Sequence, residues 1–133
     1  MTALENTFNE ENRIARGKLP LSRAISLGDV LPDNYRNCFG CGEDNSAGIH
    51  LTDLRTENGK VHATLKPKQH HEGFPGIVHG SIAMAALDEA MGYACRMIGG
   101  TWAVTAKIDL KFRKPLPISS IYKVEGWIKD YAG

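Results

Sequence analysis

Hydrophobic and polar residues alternate along two stretches that follow residue 47. Alternation with a period of two is typical of a strand that buries one face. Asn58-Gly59 separates the stretches and is a sequence that favours a type I′ turn. The pattern predicts a β-hairpin with strands over 48–57 and 60–67. The residues on its predicted buried faces are Ile49, Leu51, Val61, Ala63 and Leu65.

A second pattern begins after the loop QHHEGFPGIVHG, whose glycines and proline interrupt regular structure. The stretch 80–98 is rich in Ala, Met and Leu, which favour helix, and Gly99-Gly100 follows it as expected just past a helix end. We predict a helix of about five turns over this stretch. Between Ile77 and Cys95 its only charged residues are Asp88 and Glu89, so most of its surface is expected to be buried.

Two further strands complete the predicted elements. Apolar residues alternate with polar ones from Trp102 to Arg113, and a last strand is predicted over about 119–131. The order of two strands, one helix and two strands predicts an α+β domain in which an antiparallel sheet packs on one long helix. We expect this domain to occupy 36–133, after a partly helical N-terminal arm over 1–35.

Composition narrows the class of protein. The chain has 133 residues, a net charge of +1, 42% hydrophobic and 23% charged residues, which suits one soluble domain. Nothing in this balance indicates a nucleic-acid or membrane partner, and the polar N-terminus lacks the features of a signal peptide. We expect a soluble, cytoplasmic protein.

The three cysteines are Cys38, Cys41 and Cys95. The CFGC spacing is compatible with a metal or redox site, but no second ligand pair of matching spacing follows. The residues after it, GEDNSAG, cannot begin a helix that would activate a thiol. The sequence therefore favours thiols that pack in a loop, with no bound metal and no cofactor.

The two acids of the helix differ in their neighbours. Helical spacing places Asp88 among small, apolar and thiol-bearing side chains, whereas Glu89 lies near Tyr93 and Arg96. Burying a carboxylate is costly, so Asp88 is a candidate catalytic acid or base. The alternative is a narrow solvated stripe that holds both acids. We expect Glu89 to be solvated or paired with Arg96.

His79-Gly80-Ser81 opens the same helix. A helix start presents backbone N–H groups that can bind a carbonyl oxygen or an oxyanion, although capping by Ser81 alone would also explain the pattern. His79 and Asp88 are nine residues apart, which places them about half a turn out of phase and about 13–14 Å apart along the axis. Both can act on one substrate only if they come from two copies of the helix, as in a symmetric dimer.

These residues carry a family resemblance. CFGCGEDNSAGIHL followed by HEGFPGIVHGSIAMAALDEAMGYA resembles the hotdog-fold acyl-CoA thioesterases of the phenylacetate-pathway (PaaI) type, over roughly 37–130. The shared pattern is His79, Gly80 and Ser81 followed by Asp88. The resemblance implies a sheet wrapped around a central helix, homodimers or tetramers with active sites at the subunit interface, and an acyl-CoA substrate.

The resemblance also implies residue roles. Asp88 is the general base or nucleophile, the Gly80 N–H polarises the thioester carbonyl, and His79 orients the loop. Thr105 corresponds to an assisting hydroxyl, although its place in the alternation points away from the apolar face that should meet the helix. We also predict that Ser81, Thr105 and Gly76 contact substrate.

The chain departs from the family pattern in three places. Ser81 replaces the second glycine, and Gly73 occupies a position that is polar in some members. Four strands are predicted where the family has five or six, so the domain is expected to be short of C-terminal strands, by truncation or because a partner completes the sheet. The alternative functions are a non-catalytic acyl- or CoA-binding or interaction module and a dehydratase of 3-hydroxyacyl thioesters.

Overall fold

Residues 36–101 and 103–130 are described in the computed structural model of the chain. Three strands in the order β1-β2-β3 form one antiparallel sheet, and one long helix packs against it. The elements are β1 (Thr52–Glu57), β2 (Lys60–Leu65), a 3-10 turn (Gln69–His71), α1 (Gly80–Tyr93), a π-helical turn (Ala94–Ile98) and β3 (Tyr122–Gly126). The predicted α+β class is confirmed. The arm predicted over 1–35 lies outside the described residues.

The predicted hairpin is confirmed, with a shorter first strand. Asn58 and Gly59 both have positive φ angles, 51° and 73°, as a type I′ turn requires. β1 begins at Thr52 rather than at 48, because the backbone takes positive φ angles at His50 and Asp53, and the register shifts between Thr52 and Arg55. These bends interrupt regular strand pairing, and the side-chain alternation does not report them.

The helix and the sheet meet through small residues. Ala86 and Ala90 of α1 and Val124 of β3 are completely buried. A Cβ atom added to Gly126 would lie 2.6 Å from the carbonyl oxygen of Ala90, so the glycine lets the strand approach the helix backbone. The buried residues of the core are Ile49, Leu51, Leu54, Val61, Ala63, Leu65, Ala86, Leu87, Ala90, Tyr93, Ala94, Met97 and Val124.

The predicted helix over 80–98 is confirmed in extent, but its last turn has a different form. Residues Ala94–Ile98 are π-helical, and the N–H of Gly99 bonds to the carbonyl of Ala94 at 3.0 Å. Gly100 then takes a positive φ of 68°. Within the described residues, no helix is long and apolar enough to cross a membrane.

The prediction of a strand over 102–113 is wrong for this chain. Residues 103–113 pair with no other strand among those described. Val104 and Phe112, predicted to be buried, are 86% and 60% exposed, although Leu110 packs against the core. Alternation indicates which side chains suit burial, but a strand also needs a hydrogen-bonding neighbour. The strand predicted over 119–131 is confirmed only over Tyr122–Gly126, so the described sheet has three strands rather than four.

Candidate active site

The start of α1 is capped by the histidine of the His79-Gly80-Ser81 sequence. His79 has an extended backbone conformation, φ −60° and ψ 138°, and its Nδ1 accepts a hydrogen bond from the Ser81 N–H at 3.0 Å. The Ser81 hydroxyl also lies 2.7 Å from Nδ1. Both polar groups of Ser81 therefore contribute to the cap, and the substrate contact predicted for this residue stays a prediction.

This cap determines which backbone amide is available at the helix start. The N–H groups of Ile82 and Ala83 donate to the His79 carbonyl at 2.9 and 3.4 Å, and the Ser81 N–H donates to the ring. The first residues of a helix have no intrahelical acceptor for their N–H groups. Within the described part of the chain, the Gly80 N–H donates to no acceptor. Gly80 is therefore the amide that can bind a carbonyl oxygen.

The loop before the helix holds His79 in place. The His79 N–H donates to the carbonyl of His71 at 2.8 Å, and the Gly73 N–H donates to the carbonyl of Ile77 at the same distance. A Cβ atom at Gly73 would lie 3.1 Å from the Cα of His79. A larger side chain at position 73, such as the polar one of some hotdog thioesterases, would crowd the capping residue, which gives a physical reason for glycine here.

Gly76 shapes the same loop through its backbone conformation and hydrogen bonds. It has a positive φ of 77°, its N–H donates to the Glu72 carboxylate, and its carbonyl accepts from the Ile118 N–H at 2.9 Å. Its backbone groups are therefore occupied in holding the turn. The predicted substrate contact at Gly76 stays a prediction.

Phe112 lies against the helix start, a contact that the sequence did not predict. A Cβ atom added to Gly80 would lie 3.4 Å from Phe112 Cζ, which is ordinary van der Waals contact. The alternating pattern predicted that Phe112 would be buried in the sheet, but its ring is 60% exposed. A large exposed ring beside a free amide provides an apolar wall for a ligand bound at Gly80.

Asp88 lies in the middle of α1 and is half-buried. The Thr105 Oγ1 donates a hydrogen bond to Asp88 Oδ1 at 2.5 Å. The structure thus brings together two predicted site residues from the helix and from the segment that follows it. The expectation that Thr105 points away from the helix was wrong, because residues 103–113 do not follow the regular alternation of a paired strand.

Cys95 is a buried thiol about two helical turns beyond Asp88. Burial raises the pKa of Cys95 to about 12, and the Asp88 carboxylate acts in the same direction. The thiol is therefore protonated near neutral pH, and a protonated thiol is a poor nucleophile. This excludes Cys95 as a competing nucleophile, although it lies close to the candidate acid.

The helix start and Asp88 do not form a site within one copy of the chain. Both belong to α1, and eight residues separate Gly80 from Asp88. At 1.5 Å per residue they are about 12 Å apart along the axis. One thioester carbonyl cannot contact both at once.

Glu89 has a partner that the sequence did not predict. It was expected to be solvated or paired with Arg96, but it is half-buried and its Oε1 accepts a hydrogen bond from the Cys38 thiol at 3.5 Å. Cys41 lies beside it and accepts a hydrogen bond from the Tyr93 hydroxyl at 3.1 Å. The CFGC spacing singled out the two thiols, but nothing in the sequence indicated that Glu89 would meet them.

Comparison with known proteins supports one family. The thioesterase superfamily matches residues 75–132, which include both the helix start and Asp88. Mouse acyl-coenzyme A thioesterase THEM4 is 31% identical over 64 residues, which are 48% of this chain and 27% of THEM4. The chain therefore spans only about a quarter of the length of that relative.

A solved structure agrees with the sequence matches. The crystal structure of a thioesterase superfamily protein superposes with a TM-score of 0.67 at 24% identity, and the match covers 74% of this chain and 48% of the other. At this identity the likeness establishes the fold. The solved structure thus shows the hotdog fold, and the two sequence matches show that part of this chain is similar to proteins of the thioesterase superfamily.

Proposed function

We propose that this protein hydrolyses acyl-CoA thioesters at a site that combines Asp88 with the start of α1. The observation that carries the proposal is the half-buried Asp88 carboxylate, which is fixed by Thr105 and lies within the part of the chain that matches the thioesterase superfamily. The printed name of THEM4, an acyl-coenzyme A thioesterase, supports acyl-CoA as the substrate class. The spacing from His79 to Asp88 supports the narrower assignment to the phenylacetate-pathway type.

The helix start would bind the group under attack. The thioester carbonyl oxygen accepts a hydrogen bond from the Gly80 N–H, and the positive end of the helix dipole stabilises the negative charge that develops there. His79 acts by positioning, because its ring caps the first turn and leaves the Gly80 amide as the available donor. The Phe112 ring beside Gly80 would contact the apolar part of the substrate.

Asp88 would supply the base or the nucleophile. As a base it takes a proton from water, and the hydroxide formed attacks the thioester carbon. The tetrahedral intermediate then collapses, its carbon–sulfur bond breaks, and the proton passes from Asp88 to the leaving thiolate to give CoA and a carboxylic acid. As a nucleophile, Asp88 attacks the thioester carbon, the carbon–sulfur bond breaks, and an acyl anhydride forms as CoA leaves as a thiolate. Water then cleaves the anhydride to the carboxylic acid and the Asp88 carboxylate, and the proton released goes to the thiolate. Thr105 orients the carboxylate for either route.

A symmetric dimer would assemble this site. Gly80 and Asp88 are about 12 Å apart along one helix, so a site that uses both takes the amide from one copy and the carboxylate from the other. An isologous contact between two copies of α1 generates two equivalent sites.

The proposed function is tested by turnover of a panel of acyl-CoA substrates, from short aliphatic to aromatic, with each cleavage followed through the ultraviolet absorbance of the thioester bond. Hydrolysis of at least one thioester, with release of stoichiometric CoA, is expected. Binding of CoA thioesters without turnover would favour the non-catalytic acyl- or CoA-binding module. Hydration of crotonyl-CoA without hydrolysis would favour the dehydratase.

A further inference from the structure

Two cysteines and a glutamate converge beside α1, and the glutamate is the residue that follows Asp88. One sulfur atom each from Cys38 and Cys41 and one carboxylate oxygen from Glu89 lie within 4.8 Å of one another. All three residues are half-buried. From this geometry we propose that Cys38, Cys41 and Glu89 bind a Zn²⁺ ion that ties the loop over residues 36–48 to the helix.

The donor atoms have the separation that a tetrahedral zinc ion requires. Zn–S bonds of about 2.3 Å and Zn–O bonds of about 2.1 Å at tetrahedral angles place sulfur and oxygen ligands about 3.6 Å apart. Cys38 Sγ and Glu89 Oε1 are 3.5 Å apart. A cation can therefore bind between them with little movement of either side chain.

The loop is folded so that both thiols face the same ion. The Gly42 N–H donates to the Cys38 carbonyl at 2.8 Å and closes the turn that contains both cysteines. A Cβ atom at Gly42 would meet the backbone of Cys38 and Arg36 at less than van der Waals distance, so the turn needs glycine. A salt bridge of 2.8 Å between Arg36 and Asp44 holds the ends of the same loop together.

The Glu89 side chain fits against this loop because Gly40 has no side chain. A Cβ atom at Gly40 would collide with the Glu89 carboxylate group. The Leu51 N–H donates to the Gly40 carbonyl at 2.9 Å, which fixes this part of the loop next to β1. The loop thus leaves a space that the carboxylate of Glu89 occupies, next to both sulfur atoms.

A hydrogen bond from Tyr93 to one of the thiols also supports zinc binding. The Tyr93 hydroxyl donates to Cys41 Sγ at 3.1 Å, and a hydrogen bond of this kind stabilises a metal-bound thiolate. Thiolate ligands select zinc over magnesium or calcium. Binding releases the two thiol protons to solvent, and water can complete the tetrahedron because the donors are only half-buried. The sequence favoured thiols that merely pack, because no second ligand pair of matching spacing follows CFGC. In the proposed site, Glu89 is the third ligand.

The test is a titration of the untagged, reduced chain with Co²⁺, a spectroscopic substitute for zinc. We expect about one Co²⁺ per chain, visible bands of tetrahedral cobalt and near-ultraviolet thiolate charge transfer, all removed by Zn²⁺. Cys38→Ser and Cys41→Ser should lose these bands, whereas Cys95→Ser, which removes the thiol outside the cluster, should keep them. Glu89→Gln and Tyr93→Phe should weaken binding, by about 10- to 100-fold for the outer-shell Tyr93.

A second measurement separates loss of the site from loss of the fold. Zn²⁺ should raise the melting temperature of the wild type and of Cys95→Ser, and leave that of a folded Cys38→Ser variant unchanged. If the reduced wild type shows no cobalt bands at micromolar metal, the proposal is wrong whatever the variants do. Bands that persist when both Cys38 and Cys41 are replaced would also overturn it. Neither outcome depends on thioesterase activity.

Discussion

The Thr105 hydroxyl donates a 2.5 Å hydrogen bond to the Asp88 carboxylate and joins the segment after the helix to the middle of α1. One carboxylate oxygen is thereby occupied, and the orientation of the carboxylate is fixed. Among the described residues no hydrogen bond to the other oxygen is found, which in the proposed mechanism leaves it for water or for a thioester carbon. In that mechanism Thr105 sets the orientation of Asp88, and its effect can be measured separately from the effect of the acid itself.

Replacing Thr105 with Val keeps the shape of the side chain and removes the hydroxyl. A hydrogen bond to a charged group contributes about 1.5–3 kcal/mol, so we expect kcat for an acyl-CoA substrate to fall about 10- to 100-fold. KM should change little in the positioning role, because the contact that Thr105 makes in the structure is with Asp88, whereas a rise in KM would favour the substrate contact predicted for Thr105. Thr105→Ser, which restores the hydroxyl, should recover most of kcat. An unchanged kcat in Thr105→Val would contradict the positioning role.

The amide of Gly80 can be removed without disturbing the helix. Gly80 is the first residue of α1, a position where proline is favoured, and His79 already has the extended conformation that a following proline requires. Gly80→Pro deletes the N–H group and should lower kcat by about 10²–10³-fold. Gly80→Ala keeps the N–H and should lose far less activity. Equal losses in two folded variants would mean that the amide does not stabilise the oxyanion.

The origin of the site residues in two chains can be tested by mixing inactive variants. In a heterodimer of Asp88→Asn and Gly80→Pro chains, one of the two sites contains a native Gly80 and a native Asp88. Random exchange of subunits should therefore restore about a quarter of wild-type activity. If both residues of a site came from the same chain, every site would keep one defect. No recovery after verified subunit exchange would exclude the shared site.

The sequence predicted the elements that depend on local side-chain pattern. The hairpin follows from Asn58-Gly59 and flanking alternation, and the long helix from its Ala, Met and Leu content and Gly99-Gly100. It could not show that 103–113 pairs with no strand among the described residues, because pairing depends on residues distant in the sequence. The π-helical turn over Ala94–Ile98 also has no signal in the side-chain pattern.

For the candidate site, the sequence likewise predicted what depends on local spacing and missed what depends on contacts in three dimensions. The spacing from His79 to Asp88 gave both ends of the proposed site and predicted that they are too far apart within one helix to meet. The role of Ser81 in the His79 cap and the ring of Phe112 over Gly80 depend on three-dimensional contacts. So does the contact of Glu89 with Cys38, since 51 residues separate the two.

The pH dependence of stability should depend on His71, which is 2% exposed. Burial is the largest cause that lowers the pKa of His71 from its ordinary value of 6.5, and the neighbouring His70 is the second. A weaker hydrogen bond with the Gly48 backbone opposes the shift. The unfolded chain therefore binds a proton more readily than the folded protein. The contribution to stability is fully present above about pH 6.5 and is lost as the pH falls through the lower folded value.

Urea unfolding between pH 7.5 and 5 measures this effect. We expect the free energy of unfolding of the wild type to fall over this range and that of His71→Gln to fall less steeply. His70→Gln should keep most of the slope, because burial of His71 is the larger cause of the shift. Identical slopes in the wild type and His71→Gln would exclude His71 as the titrating group.

The most direct test of the proposed function is the turnover of an acyl-CoA substrate by Asp88→Asn, compared with the wild type and Asp109→Asn. Asp109 is an exposed acid that pairs with Lys107 at 3.3 Å, so its variant controls for the loss of one negative charge. We predict that Asp88→Asn stays folded and loses about 10²–10⁴-fold in kcat, while Asp109→Asn keeps wild-type activity. Undiminished hydrolysis by folded Asp88→Asn would contradict the central role of this carboxylate.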